Sequence, residues 1–249
     1  MSGHSKWAQI KRKKAVTDAK RGALFTRLIK EVTIAARQGG GDPDGNARLR
    51  TAIDNAKAAN MPNDNIERAI KKGTGELEGV RYEEATYEGY GPGGAAILIQ
   101  VTSDNLNRSV AAIRHAFTKN GGNLGEPNSV AWVFDKRGQI YLDAARYSEE
   151  VAMEAALDAG AEDIVTEGDQ HIVTVPPTEL HKVRDALKAA GIEAEQAEMA
   201  MIPRTTVRIE GKDAERLLKL MDILEEHDDV SNVFSNFDID AKTLAAVSE

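Results

Sequence analysis

The chain has 249 residues, 41% of them apolar, no cysteine and a formal net charge of −8. That length fits two or three cored domains, and the missing cysteine excludes disulfides, thiolate catalysis and cysteine-ligated zinc. No run approaches the ~18 consecutive apolar residues of a membrane span, and no apolar h-region follows the basic start, so a cytoplasmic protein is expected.

In chain order, the first predicted element is an amphipathic helix from about Thr17 to Arg37. Leu24, Phe25, Leu28, Ile29, Val32, Ala35 and Ala36 recur on one face, and the run Gly39-Gly40-Gly41-Asp42-Pro43 ends it. A second helix carries Leu49, Ala52, Ile53 and Ala56, with Asn46 placed to cap it. A third begins near Asn63 or Asp64, where Asp64 and Glu67 have capping-box spacing, and is expected to end at Gly73. Residues 1–75 thus read as a helical bundle with a basic arm, and 74–81 as a hinge.

Strands and helices then alternate. Ala95–Thr102 is a continuous apolar run read as a buried strand. A helix with Leu106, Val110, Ile113 and Phe117 follows, then a strand over Val130–Phe134. Residues 139–202 scan as a complete βαββαβ unit, the ferredoxin-like motif. A further strand at 205–210, a helix at 214–224 and a strand at 230–237 have no partner nearby. Joined to the earlier half at 95–134, they make a second such sheet. The expected fold is therefore α+β and multidomain: a basic helical domain at 1–78, a discontinuous ferredoxin-like domain at 79–135 and 204–241, and an inserted ferredoxin-like domain at 136–203.

Candidate chemistry is sparse. Gly89, Gly91 and Gly94 match G-x-G-x-x-G, but the motif precedes a strand and contains Pro92, so it reads as a tight loop rather than a dinucleotide site. Asp42-Pro43-Asp44-Gly45-Asn46 imitates a calcium loop, yet the required Gly and Glu positions hold Ala47 and Ile53. His4, His115, His171, His181 and His227 show no metal-ligand spacing, and no nucleophile elbow is present. No enzyme, metal or cofactor is expected.

Charge is segregated. Residues 1–75 hold 16 basic and 7 acidic side chains, whereas 76–249 hold 16 and 33. The positive charge concentrates in Lys6, Lys11, Arg12, Lys13, Lys14, Lys20 and Arg21, with His4 and Trp7 among them. Cations that displace condensed counterions, beside a planar ring, are what phosphate-backbone binding requires. Arg27, Lys30 and Arg37 continue the charge along the helix, with Lys71 and Lys72 on the third helix. Two competing readings are a disordered, solubilising arm, against which an exposed Trp7 argues, and a Trp7 that packs on the helical bundle.

Several ordered motifs resemble the YebC family: GHSKWA at 3–8, DAKRG at 18–22, GGGDP at 39–43, MPNDNIERAI at 61–70, YEGYGPGG at 87–94, RHAF at 114–117, GGNLG at 121–125, EDI at 162–164 and MIP at 201–203. The resemblance implies a helical domain followed by two α/β domains and a non-enzymatic regulator of gene expression. Bacterial members are described as probable transcriptional regulatory proteins that bind DNA. A mitochondrial relative is described as a translational activator (of cytochrome c oxidase subunit I), and bacterial relatives are linked to the ribosome and to relief of stalling. The resemblance supplies no catalytic residues.

The expected contact residues are His4, Lys6, Trp7, Lys11, Arg12, Lys13, Lys14, Lys20, Arg21 and Arg27. A Lys-rich stretch poor in Asn and Gln suits backbone contacts better than base readout. The leading expectation is a cytoplasmic DNA-binding transcriptional regulator. A ribosome-associated factor contacting rRNA remains open, with the acidic domains meeting ribosomal or transcription-machinery proteins. So does a protein-interaction scaffold with an incidental basic arm.

Overall fold

The computed structural model describes residues 18–240 and is a mixed α/β structure with seven α-helices and antiparallel sheets among those residues. Two compact units form. One joins residues 28–79 to 136–201, and the other joins 80–135 and 202–240 to the start of the first helix.

The helical segment comprises α1 (Asp18–Gly39), α2 (Ala47–Ala58) and α3 (Asn63–Thr74). Asn46 organises the α1–α2 turn. Its Oδ1 accepts the Leu49 N–H at 3.0 Å, capping α2, while Nδ2 donates to the carbonyls of Ala35 and Gly40. In the loop before it, Asp42 Oδ1 accepts the Asp44 N–H at 3.0 Å, forming an Asx turn.

Two expectations for α3 need correction. No capping box forms, because the helix starts with Pro62 as its cap and the Pro62 carbonyl accepts the Asn65 N–H. Gly73 does not end the helix either. Gly75, at φ +85°, is the left-handed cap, whereas Gly73 is buried at the crossing with α1. A Cβ on Gly73 would lie 2.4 Å from the Thr33 carbonyl oxygen.

In the first-named unit a sheet of order β5-β6-β4-β7 is built from β4 (Phe134–Asp143), β5 (Asp163–Glu167), β6 (Gln170–Val175) and β7 (Gln196–Pro203). Helices α5 (Glu149–Ala159) and α6 (Leu180–Ala189) complete it around Ile140, Leu142, Val173, Val183 and Leu187. Its third strand, β6, lies between the first and second.

The other unit departs from expectation. Its sheet runs β3-β1-β2-β9, from β1 (Glu83–Tyr90), β2 (Ala96–Ser103), β3 (Asn123–Leu124) and β9 (Val230–Ser235). Helices α4 (Leu106–Lys119) and α7 (Gly211–Glu225) pack Ile113, Phe117, Leu217 and Met221 against Ile97 and Ile99. Strand β1, not among the expected elements, pairs with both β2 and β3, and the 205–210 strand has no place in this sheet. The reason is proximity. β1 and β2 form a hairpin with eight consecutive paired positions, closed by the Pro92–Gly94 turn with Gly93 at φ +72°. The 205–210 segment shortens to β8 (Val207–Arg208), which pairs in parallel with β10 (Phe237–Asp238).

The expected strand at 130–134 is also corrected. Ala131–Val133 is a 3-10 turn, and Phe134 opens β4. The Glu88 carboxylate, 7% exposed, accepts the N–H groups of Asn128, Val130 and Ala131, each at 2.7 Å. Three donors converging on one carboxylate cannot also feed a strand ladder.

Candidate nucleic-acid interface

Of the expected contact residues, His4, Lys6, Trp7, Lys11, Arg12, Lys13 and Lys14 lie outside the described residues. Lys20 and Arg21 fall in the first turn of α1. Arg27 is partly buried. Burial pushes its guanidinium pKa down, opposed by the carboxylates of Glu225 and Asp228, and its Nε is buried with no hydrogen-bond partner. Lys30 departs from the solvated charge stripe expected along α1. It is 7% exposed, because α1 is embedded from here through Val32, Ile34, Ala35 and Ala36.

Farther along, Arg37 and the pair Lys71 and Lys72 are exposed, in the last turns of α1 and α3. The close approach at Gly73, whose added Cβ would sit 3.2 Å from the Arg37 N, brings these two helix ends together. Cations there also complement both helix dipoles, so the arrangement stabilises the helices whatever it binds.

Sequence reasoning missed two polar constellations. In the 28–79/136–201 unit, Arg184 is 5% exposed, yet its guanidinium donates to Thr51 Oγ1 at 2.7 Å and pairs with Asp54 at 3.2 Å and Asp185 at 2.7 Å. His181 Nδ1 meets the same Thr51 hydroxyl, and Asn55 exchanges two hydrogen bonds with the Ala197 backbone. Burial holds the His181 pKa below its usual value, assisted by Arg184 and Arg50 and opposed by Asp185. These groups fasten α2 to α6 and β7. Thr51 and Arg184 are buried at this contact, while Asp54 and Asp185 stay partly exposed. His171 is likewise satisfied, between Thr166 Oγ1 and the Tyr147 carbonyl.

The second constellation is the loop that Glu88 anchors, whose Trp132 side chain is 68% exposed. The only local signal there is the continuous apolar run VAWVF, which reads as a buried strand. Among the described residues no group of three or more His, Asp or Glu is placed to hold a metal, and no helix is long and apolar enough to cross a membrane.

A mixed α/β body joined to a helical segment whose leading end concentrates the positive charge defines a class of α/β protein with a basic helical module. The chain belongs to the TACO1/YebC family. Residues 5–76 match the TACO1/YebC protein N-terminal domain and residues 82–237 the TACO1/YebC second and third domain. It is 55% identical over 244 residues to a "probable transcriptional regulatory protein" of Geobacter sp. (strain M21), covering 98% of both chains. It is 58% identical over 245 residues to one of the same description from Acidithiobacillus ferrooxidans (strain ATCC 53993), again covering 98% of both. The crystal structure of a conserved hypothetical protein from Aquifex aeolicus is similar, with 48% identity and a TM-score of 0.85, over 90% of this chain and 92% of that one.

Proposed function

We propose that this protein is a non-enzymatic, cytoplasmic regulator of transcription that binds DNA through its basic N-terminal segment. The observation that carries the reading is the charge segregation, 16 basic against 7 acidic residues up to position 75 and the reverse excess beyond it. The names of the relatives agree with a regulatory role.

In this reading His4, Lys6, Trp7, Lys11, Arg12, Lys13, Lys14, Lys20 and Arg21 contact the nucleic acid, with Arg27 at the margin. The Lys and Arg side chains neutralise phosphates, and the acidic domains fix orientation through a protein partner, since phosphates repel them. We divide the chain into a basic domain at 1–78, a split domain at 79–135 and 204–241, and an inserted βαββαβ domain at 136–203.

The test replaces Lys11, Arg12, Lys13 and Lys14 with Ala and follows DNA affinity against salt. Removing four phosphate contacts should lower the slope of log affinity on log salt by up to about 3.6. An unchanged slope sinks the phosphate role. Crosslinking in growing cells, with sequencing of the bound nucleic acid, should give promoter enrichment. Discrete rRNA footprints without promoter signal would replace transcription with the ribosome.

A further inference from the structure

We propose that Trp132 is a stacking platform for an unpaired nucleobase, distinct from the basic N-terminal segment; this rests on the nucleic-acid reading above. The Trp132 side chain is 68% exposed, so it offers a flat apolar face to a partner, and it is held in place rather than left to rotate. Its Nε1–H donates to the Ser129 carbonyl at 3.0 Å, and the Tyr90 hydroxyl donates to the same oxygen at 2.8 Å. The polar edges of the two rings are therefore satisfied within the loop. Trp132 and Tyr90 are the two exposed aromatic side chains among the described residues.

The loop beneath is built for rigidity. Glu88 clamps it through Asn128, Val130 and Ala131, and Asn128 takes a positive φ of +66° to reach the clamp. Val130 and Val133, on either side of Trp132 in sequence, are buried at 0% and 6%, so the turn turns its small apolar groups inward and its largest outward. A ring fixed before binding loses little entropy when a base lies on it.

The surroundings favour a base over a protein. A stable protein interface needs roughly 800 Å² per partner with an apolar centre, whereas only Tyr90 joins Trp132 in this hydrogen-bonded cluster. The turn is also tied from outside: the Arg204 backbone N–H donates to the Val133 carbonyl at 2.8 Å, while the Arg204 guanidinium is paired with Asp135 at 2.6 Å. One fixed planar face matches one base, since every base has a π-face.

The experiment compares the full-length protein with Trp132→Ala and Trp132→Phe, titrated with a single-stranded oligonucleotide carrying 5-iodouracil and with an abasic oligomer of equal length. Trp132→Ala should weaken binding of the base-bearing strand by about 5- to 150-fold, leave abasic binding and the salt slope unaltered, and retain the parental circular dichroism. Trp132→Phe should restore most of the affinity. Photocrosslinking followed by peptide mapping should place the adduct on Trp132.

Equal affinities of parent and Trp132→Ala, with the Lys11–Lys14 substitutions still flattening the salt slope, would overturn the platform and spare the nucleic-acid reading. Failure of both single strands to bind, while duplex DNA still binds with its salt dependence, would overturn the platform alone; failure of duplex and single strands alike would remove both. Protection of Trp132 from fluorescence quenching by an apolar peptide, without any such effect of oligonucleotides, would assign the ring to a protein partner and refute the proposal.

Discussion

Glu88→Gln is the most informative single substitution, because it changes one atom of a buried carboxylate that accepts three backbone N–H groups at 2.7 Å. Hydrogen bonds to a charged acceptor contribute about 1.5–3 kcal/mol each, and neutral ones about 0.5–1.5. The glutamine oxygen can serve Val130 and Ala131, at neutral strength. Its amide then faces the Asn128 N–H, donor against donor, and the third bond is lost. Asn128 is exposed, so water offsets part of that loss.

The net destabilisation is about 2–4 kcal/mol, or roughly 5–15 °C in Tm for a unit of this size. Opening of the loop alone limits the global effect, so amide hydrogen exchange is the sharper assay. Protection at Asn128, Val130 and Ala131 should fall by one to three orders of magnitude while the β2 amides stay protected. If exchange at the three amides and Tm both match the parent, the carboxylate is not what shapes the 125–133 loop.

Three further outcomes are expected. Gly73→Ala forces a methyl against the Thr33 carbonyl at 2.4 Å, so denaturant unfolding should show a loss of about 1–3 kcal/mol; a stabilised variant would mean the crossing is loose. Because the His181 pKa is lowered by burial and by Arg184, the unfolded chain binds the proton more readily. Stability should therefore be full above about pH 6.5 and fall as pH drops through the lower folded value, and His181→Asn should flatten the decline in Tm between pH 7.5 and 5. Arg27→Gln should change the DNA salt slope less than Lys13→Ala does, since Arg27 is partly buried near Glu225 and Asp228; an equal change would place Arg27 on the phosphate surface.

Legibility followed the range of the determining interactions. The helices around Leu49, Ile53 and Ile113 were readable because a local period sets their faces, and the Asn46 cap acts over three residues. Strand β1 was not. Its sequence EEATYEGY looks solvated, and Glu88 is buried only because donors some 40 positions away surround it. The same carboxylate converts VAWVF from a strand pattern into a turn, which is why Trp132 reads as core and emerges as surface. Lys30 misled in the opposite sense, since charge in sequence carries no information on how deeply a helix is embedded.

The pairing of β2 with β9 also bears on how the chain is made. Ala96–Ser103 is buried along nearly its whole length, yet one of its two neighbours is Val230–Ser235. A ribosome adding 5–20 residues per second needs roughly 6–25 s to synthesise the intervening stretch. Throughout that interval β2 and its hairpin present an unpaired apolar edge, the kind of template that recruits a second nascent chain. The residues at 28–79 and 136–201, by contrast, have all been synthesised before Val230 appears. Translation thus imposes an order on assembly: one unit can close early, while the other stays a half-built sheet that must be shielded until its last strand arrives.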